Sequence, residues 1–292
     1  YNVCQHRAHE LLQGTGNRKA ITCPYHAWTY ELDGRLRKAR GADKVPGFDP
    51  NTICLTPIRL EQLCGFLFVN LDPEAAPLEA LFSDVAEEIL GYAPEIETYK
   101  LARRHSEDVQ ANWKVAVENY NECYHCPVVH PTFSRGVIRP ETSRITPSAM
   151  SVRHYACGHP SERTPYHLDE RAPRAHEYGA WYLWPSFSVQ VYPGGVVNTY
   201  RWIPEDVTHT VVHREWYFPN EELTAEQSAI IELDRATTFA EDLPVMHAVQ
   251  RGLNSRGYRP GPLMVNPSGV ATAESENSVY EIQKLVLSAL EG

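Results

Sequence analysis

The chain has 292 residues, 42% of them hydrophobic and 22% charged, which is typical of a globular protein with one large or two modest domains. Its 37 acidic and 27 basic residues give a formal net charge of -10. This balance argues against nucleic acid as a partner, because binding to phosphates requires clustered lysine and arginine. We find no apolar run long enough to cross a bilayer and no apolar leader, so we expect no membrane partner. Because the chain begins at Tyr1, we expect an N-terminal segment to be missing from this numbering.

Two short loops near the start of the chain combine cysteine with histidine. The first contains Cys4 and His6, and the second contains Cys23 and His26. Two cysteines and two histidines are the ligands of a Rieske 2Fe-2S cluster, whereas other ferredoxin clusters use four cysteines. A single zinc ion is the alternative, although zinc fingers usually place two cysteines before two histidines. On these residues, and on the following Trp28, the sequence resembles the Rieske family.

The other five cysteines show no spacing typical of a secreted disulfide framework. We therefore expect reduced thiols and a cytoplasmic location. Cys123 and Cys126 form a C-x-x-C pair, which alone would suggest a redox dithiol or half of a zinc site. The remaining three are Cys54, Cys64 and Cys157.

Short strands and turns are predicted over the first 72 residues. The Asp33-Gly34 pair between two strand-like runs predicts a hairpin. The predicted strands are Ala20–Thr22, Thr29–Leu32 and Gly65–Leu71. We expect a small all-β domain over residues 1–75.

A second domain, over residues 76–292, is predicted to begin after a proline-rich break. Residues 78–90 have helical spacing, with one apolar side made by Leu78, Leu81, Val85 and Ile89.

The stretch from Asn112 to His130 has two helical stripes. One is apolar, and the other contains Glu118, Glu122 and His125. Pro127 cannot continue a helix, so we expect His130 to follow a bend that lets it converge with His125. Two histidines and one carboxylate form the facial triad of non-haem Fe(II) oxygenases.

This stretch resembles the catalytic subunits of Rieske-type oxygenases, which carry an acidic residue, a histidine three residues later and another histidine five residues after that. Glu122, His125 and His130 match those positions. The wider string, NWKVAVENYNECYHCPVVH, is similar to the branch that acts on choline, carnitine and betaines. The resemblance implies that His125 and His130 bind the mononuclear iron. It also implies that Glu122 bridges this iron site and a cluster histidine of the next subunit in a homotrimer.

The rest of the chain predicts an antiparallel sheet followed by a long helix. We expect strands at residues 186–192, 196–203 and 209–218, and a helix from Ala225 to about Phe239, capped by Thr224 and Gln227. With the first domain, this gives an α+β protein with a helix-grip catalytic domain, as the resemblance implies. The intervening residues 132–178 are predicted to be mostly loop, and their histidines are solvated or line a pocket: His154, His159, His167 and His176.

The third iron ligand is placed at Asp242 by the similarity of residues 241–253 to a late acidic motif of the family. A structural alternative is that Asp242 caps a helix containing Pro244. Glu241 and Asp234 are the other candidate ligands. His247 stands where the family motif usually has glutamate, which weakens the substrate analogy.

The predicted enzyme uses O₂ and NAD(P)H, and a separate reductase delivers the electrons because the chain has no dinucleotide-binding fingerprint. The substrate is predicted to be a small quaternary ammonium compound that is hydroxylated or N-demethylated. Aromatic side chains bind such cations, although they also fill protein cores. The alternatives are an aromatic-ring dioxygenase, a Rieske electron carrier and a redox-sensing binding module. The candidate substrate residues are Trp181, Trp184, Tyr192, Tyr200 and Trp202.

Overall fold

The computed structural model describes residues 1–160, 163–220 and 222–291, and it divides the chain into two units. The first contains Tyr1–Gln62 and Leu67–Pro77, and the second contains Leu63–Phe66 and the chain from Leu78 onward. Helices and antiparallel sheets are both present, which confirms the α+β class. Within the described residues, no helix combines the length and apolar character that crossing a membrane would require.

The first unit is built from short antiparallel strands. β1 (Ile21–Thr22), β2 (Thr29–Tyr30) and β3 (Leu36–Lys38) form one sheet in that order. The predicted Asp-Gly turn joins β2 to β3, and Gly34 has a positive φ of 93° that favours glycine. The buried core of this unit consists of Cys4, Leu11, Cys23, Tyr30 and Leu36.

A separate hairpin pairs β4 (Arg59–Leu63) with β5 (Phe66–Asn70). Cys64 and Gly65 join the two strands, and both have positive φ, 49° and 83°. Two consecutive left-handed residues are typical of a tight type I′ hairpin turn.

The second unit is organised around a seven-stranded sheet with the order β6-β12-β11-β10-β9-β8-β7, in which every neighbouring pair is antiparallel. The predicted meander is confirmed as β10, β11 and β12. Burial alternates residue by residue along β12, so one of its faces points into the core. The strands are β6 (Lys100–Val109), β7 (Arg144–Pro147), β8 (Ser151–Cys157), β9 (Glu177–Leu183), β10 (Phe187–Tyr192), β11 (Val196–Pro204) and β12 (Thr210–Phe218).

The prediction that residues 132–178 are mostly loop was wrong at two places, because β7 and β8 lie within them. Both strands have few of the alternating apolar residues on which the prediction depended. They form because β8 adds to the edge of β9 through a seven-residue register.

The helix α1 (Leu78–Tyr92) confirms the helix predicted after the proline-rich break. Its buried side differs from the prediction at one turn, where Leu81 is exposed and Phe82 is buried. Phe82 has non-helical backbone angles, and this kink rotates the following residues relative to an ideal helix.

The long helix after the meander is confirmed and extends beyond the predicted end. α4 (Ala225–Asp234) begins with the predicted capping box of Thr224 and Gln227. A π-helical turn, Arg235–Phe239, leads directly into α5 (Ala240–Leu253). Helices packed on an antiparallel sheet confirm the helix-grip architecture. The other helices are α2 (Trp113–Tyr120), α3 (Cys126–Val129) and α6 (Asn277–Glu291).

Candidate active site

The two Cys/His loops of the first unit have matching backbones. The N–H of Ala8 donates to the carbonyl of Cys4, and the N–H of Ala27 donates to the carbonyl of Cys23, each at 3.0 Å. Ala8 and Ala27 have left-handed φ values of 56° and 57°. These equivalent turns bring the two cysteines to corresponding positions, although the histidine follows its cysteine by two residues in one loop and by three in the other.

The ligand atoms offered by these loops suit a cluster. Cys4 and Cys23 are buried and free, and the rings of His6 and His26 lie 4.7 Å apart between centroids. His6 also stacks on Trp28, with the centroids 4.6 Å apart. Among the described residues, these four side chains do not form a group that could hold one metal ion.

A tyrosine that the sequence analysis did not single out contacts the first cysteine. The hydroxyl of Tyr30 lies 3.2 Å from Sγ of Cys4 and accepts the N–H of Gln5 at 3.1 Å. Burial raises the pKa of the Cys4 thiol, but hydrogen bonds from Tyr30 and from the backbone of His6 outweigh it, so the pKa is lowered. A lower pKa favours the thiolate, which is the form that binds metals.

The second unit brings His125, His130 and Asp242 together, although Asp242 is more than 100 residues away in sequence. Nε2 of His125 and Nε2 of His130 are 3.0 Å apart. Oδ1 of Asp242 lies 3.1 Å from Nε2 of His130 and 3.5 Å from Nε2 of His125. Ligands held at right angles by metal bonds of about 2.1 Å would be about 3.0 Å apart, so this triangle fits one face of an octahedral ion.

The other ring nitrogens make both Nε2 atoms hydrogen-bond acceptors. Nδ1 of His125 contacts Glu122, and Nδ1 of His130 lies 2.9 Å from Oε2 of Glu241. Because a carboxylate can only accept, each Nδ1 carries a proton, and Nε2 presents a lone pair whenever the ring is neutral. Two ring nitrogens and the carboxylate of Asp242 therefore converge, and such a group could hold a metal ion.

Two residues that support this arrangement were not assigned those roles from the sequence. Glu241 orients His130, and Asn119 donates from Nδ2 to Oδ1 of Asp242 at 3.2 Å. Both act through partners distant in sequence, so periodicity gives no signal for either. Glu241 precedes Asp242 directly and was considered only as a substitute ligand.

The backbone that positions His125 differs from the prediction. We expected a helix that continues to Pro127, but α2 ends at Tyr120, and Asn121 is its C-cap. The predicted stripe of Glu118, Glu122 and His125 is therefore wrong. Glu118 accepts from Gln283 at 3.3 Å instead.

Pro127 has a different role from the predicted one. It lies in the first turn of α3, where its missing N–H has no helical partner to lose. His125 is the N-cap of this four-residue helix, and His130 is its C-cap. One short turn thus brings the two rings together.

Asp242 is positioned by the π-helical turn before it. It lies in the first turn of α5 but does not cap that helix, whose N-cap is Phe239. Pro244 lies inside α5 and cannot donate a backbone hydrogen bond to the preceding turn. π-helical turns are frequent at functional sites. Asp234, the other candidate ligand, contacts Arg214 instead.

The expectation that all cysteines are reduced thiols was wrong for Cys123 and Cys126, which form a disulfide. They flank the loop residue His125 and lie within a helical turn of each other, so closure is local. Cys54, Cys64 and Cys157 are free.

A cavity of about 90 Å³ adjoins the convergent side chains of His125, His130 and Asp242. Of the five candidate substrate residues, Tyr192, Tyr200 and Trp202 line it. Trp181 and Trp184 do not. Trp181 donates to Glu88 on α1, and Trp184 packs 5.8 Å from Trp113.

The aromatic rings are not equally available to a ligand. The guanidinium of Arg214 lies 5.0 Å from the ring centre of Tyr200, and Trp202 stacks on Tyr200 at 5.6 Å. The ring of Tyr200 is therefore already engaged in packing contacts with these two side chains. Further aromatic residues that line the cavity include Tyr120, Phe133 and Tyr178.

His154 and Gln190 also line the cavity. The sequence left His154 open between a solvated loop and a pocket, and it gave Gln190 no role. His154 lies on β8, within the stretch predicted to be loop, and Gln190 lies between two apolar residues of β10. The alternation of polar and apolar residues along β10 was the only sequence signal for Gln190, and it suggested that this side chain faces solvent. The reason for their burial is that a sheet face covered by helices encloses the cavity.

His247, the departure from the family motif, lies outside this cavity. Its Nε2 accepts the backbone N–H of Gln110 at 3.0 Å. His247 follows Asp242 by five residues on α5, which turns it away from the iron ligands.

One α+β chain carries a Rieske-type ligand set and a centre of two histidines and one carboxylate. Together these two sites define an iron-dependent oxygenase. Residues 1–49 match the Rieske [2Fe-2S] domain, and residues 96–292 match the catalytic domain described as ring hydroxylating alpha subunit. The chain belongs to this family of oxidoreductases.

Its relatives include oxygenases named for quaternary ammonium compounds. The chain is 41% identical to the carnitine monooxygenase oxygenase subunit of Escherichia coli strain K12, over 94% of this chain and 73% of the relative. It is 37% identical to the glycine betaine monooxygenase oxygenase subunit of Chromohalobacter salexigens, over 51% of this chain and 34% of the relative. The crystal structure of the quaternary ammonium Rieske monooxygenase CntA with L-carnitine superposes with a TM-score of 0.81 at 38% identity, covering 98% of this chain and 76% of that one.

Proposed function

We propose that this chain is the oxygenase component of a system that oxidises a small quaternary ammonium compound with O₂. The observation that carries the proposal is the convergence of Nε2 of His125, Nε2 of His130 and Oδ1 of Asp242 within 3.5 Å. Three acceptors at this spacing fit one Fe(II) ion and leave its other positions for O₂.

Each cofactor is assigned its own residues. Cys4, His6, Cys23 and His26 would hold the 2Fe-2S cluster in a domain of residues 1–75. His125, His130 and Asp242 would hold the iron in a domain of residues 76–292. When bound, the two groups supply single electrons and O₂ activation, so that one oxygen atom or both enter the substrate.

The protein side chains keep the iron ligands in the correct form. Glu122 and Glu241 accept the Nδ1 protons, which holds each Nε2 lone pair toward the iron position. Asn119 holds Oδ1 of Asp242 by donating to it. Such partners typically change metal affinity or activity by about 10- to 100-fold when they are removed.

The cavity supports a cationic substrate. Aromatic side chains line it, together with the carboxylates of Glu122 and Asp242, and no lysine or arginine is found among the described residues that line it. Aromatic faces attract quaternary ammonium groups by about 0.5–2 kcal/mol each. The relatives named for carnitine and glycine betaine point to the same class.

The electrons would come from NAD(P)H through a separate reductase, since the sequence has no dinucleotide-binding fingerprint. We propose a cyclic homotrimer in which Glu122 links His125 to a cluster histidine of the neighbouring subunit. The contact of Glu122 with Nδ1 of His125 supports half of that link. Heterologous interfaces of this kind close into a ring.

The test is oxygen uptake and formaldehyde release with a panel of quaternary ammonium compounds and a generic ferredoxin reductase. Hydroxylation of an N-methyl group gives a carbinolamine that releases formaldehyde, so we expect both signals. The matched control is His130→Ala, which should lose the mononuclear iron and all turnover but keep the visible spectrum of the cluster. Formation of a cis-diol from an aromatic compound, without formaldehyde, would support a ring dioxygenase instead.

A further inference from the structure

Two polar side chains, each with a buried polar atom, lie in one row across the sheet. His154 on β8 is paired with Ala180 on β9, and Ala180 is paired with Gln190 on β10. Residues directly opposite each other in antiparallel strands point to the same face, so all three side chains share a face. Two strand spacings separate His154 from Gln190, about 10 Å between Cα atoms. Ala180 contributes only a methyl group between them.

Both polar side chains line the cavity that contains Asp242. Within the described chain, Nε2 of His154 and Oε1 of Gln190 are buried atoms without a hydrogen-bond partner. Gln190 is 3% exposed, and its Nε2 donates to the hydroxyl of Tyr120 at 2.8 Å. An unpaired buried polar atom costs about 1–3 kcal/mol, so two of them in one cavity indicate that a ligand completes their hydrogen bonding.

The row of polar atoms borders the aromatic part of the cavity. The ring of Tyr120 lies 4.9 Å from that of Trp202 between centroids, and its hydroxyl is bonded to Gln190. A ligand with a cationic group against the aromatic rings would therefore have its next few atoms near Gln190.

The polar group recognised in this row is uncharged. None of the described residues lining the cavity is lysine or arginine, so a carboxylate bound there would have no cationic side-chain partner. Burial lowers the pKa of His154 to about 4, which keeps its imidazole neutral near neutral pH. A neutral imidazole and an amide suit a hydroxyl group, because a hydroxyl both donates and accepts.

We propose that His154 and Gln190 form a polar subsite that binds a hydroxyl group of the substrate while aromatic side chains hold its quaternary ammonium group. This inference rests on the proposed function and narrows its substrate class to hydroxylated quaternary ammonium compounds. His154 and Gln190 are thereby specificity-determining residues.

The test compares two pairs of compounds that differ by one hydroxyl group. These are choline with ethyltrimethylammonium, and L-carnitine with γ-butyrobetaine. Dissociation constants and kcat/KM for substrate oxidation, followed by product formation and oxygen uptake, are measured for the wild type, His154→Phe, Gln190→Leu and His213→Phe. His213 is the control because it lies one residue before Arg214 on β12, on the opposite face of the sheet from the row of Tyr200 and Arg214.

We expect the wild type to prefer the hydroxylated member of at least one pair by about tenfold or more. His154→Phe or Gln190→Leu should reduce that ratio to within about twofold while oxidation of the other member continues. His213→Phe should leave the ratio unchanged.

The outcomes separate this inference from the proposed function. A wild type that oxidises all four compounds without preference, or variants that keep the preference, would overturn the subsite alone. A different result would be that His154→Phe or Gln190→Leu lowers kcat/KM equally for L-carnitine and γ-butyrobetaine and leaves both values of the choline pair unchanged. That result would show a carboxylate site and overturn the hydroxyl assignment. A wild type that neither binds nor oxidises any of the four would overturn the proposed function as well.

Discussion

The proposed iron ligands depend on two carboxylates outside the proposed ligand set. Glu241 accepts from Nδ1 of His130 at 2.9 Å, and Glu122 contacts Nδ1 of His125. Each contact fixes the tautomer and the orientation of a ring. The site is therefore an arrangement of five ionisable groups, of which three point their donor atoms at one position.

Replacing Glu241 with glutamine should weaken iron binding. The amide is neutral and no longer stabilises the protonated Nδ1 of His130, so we expect about a 10- to 100-fold loss of iron affinity. Iron content after dialysis against graded chelator, with the cluster spectrum recorded in parallel, measures this. Glu232→Gln is the matched control, because Glu232 bonds Arg235 on the exposed side of α4. Equal iron retention in both variants would contradict the role of Glu241.

The imidazole of His154, whose Nε2 is buried, should make stability depend on pH. Burial lowers its pKa to about 4 in the folded chain, against about 6.5 when unfolded. Between these values the unfolded chain binds the proton and the folded chain does not, so the free energy of unfolding falls as the pH falls. The loss from pH 6.5 to pH 4 amounts to about 3 kcal/mol.

Denaturant titrations of the wild type and of His154→Phe across this pH range measure the difference. We expect a flatter pH dependence in the variant. His176→Gln, which changes an exposed histidine, should follow the wild type. If the free energy of unfolding changes equally with pH in the wild type and in His154→Phe, the side chain of His154 is solvated.

Among the secondary-structure elements, the π-helical turn Arg235–Phe239 leads from α4 to the proposed iron ligand Asp242. Asp234, at the end of α4, contacts the fully buried Arg214 of β12 and accepts from the hydroxyl of Tyr192 at 3.0 Å. This buried ion pair attaches the start of the turn to strands that line the cavity.

Asp234→Ala should destabilise the fold by about 3–5 kcal/mol, because it leaves the guanidinium of Arg214 buried without its counter-ion. The free energy of unfolding from urea titration measures the effect. Glu232→Ala removes an exposed ion-pair partner on the same helix, and its cost should stay below about 1 kcal/mol. Similar costs for the two variants would mean that the Arg214 pair contributes no more than a surface pair.

At the scale of the whole molecule, the cluster and the iron must exchange electrons. The proposed trimer provides this exchange between subunits, with Glu122 as the connecting side chain. Light scattering coupled to size-exclusion chromatography should give three times the mass of one chain. A monomer that retains full turnover would contradict the trimer.

Glu122→Gln should retain both metal centres but slow electron transfer to the iron. An amide lacks the negative charge that Nδ1 of His125 contacts, and we expect a decrease of about 10- to 100-fold. Single-turnover oxidation of the prereduced cluster, with substrate and O₂, measures the transfer rate. Glu118→Gln is the control, because Glu118 bonds Gln283 and contacts neither histidine. A normal rate in Glu122→Gln would count against the bridge.

The sequence by itself determined the chemistry of the ligands and most of the local elements. Cys4, His6, Cys23 and His26 were predicted as cluster ligands from residue type and spacing, because their loops are short and each offers two candidate ligands. The capping box of Thr224 and the β10–β12 meander were likewise predictable, because caps, turns and alternation are local signals.

Only the tertiary structure decided which distant side chains meet. Glu241 and Asn119 reach the iron ligands from separate helices, and His154 and Gln190 share a row only because β8, β9 and β10 are neighbours. No periodicity along one segment encodes such contacts. They arise from strand order and from helices that cover one face of the sheet, which turns polar positions that look solvent-exposed in sequence into the wall of a buried cavity.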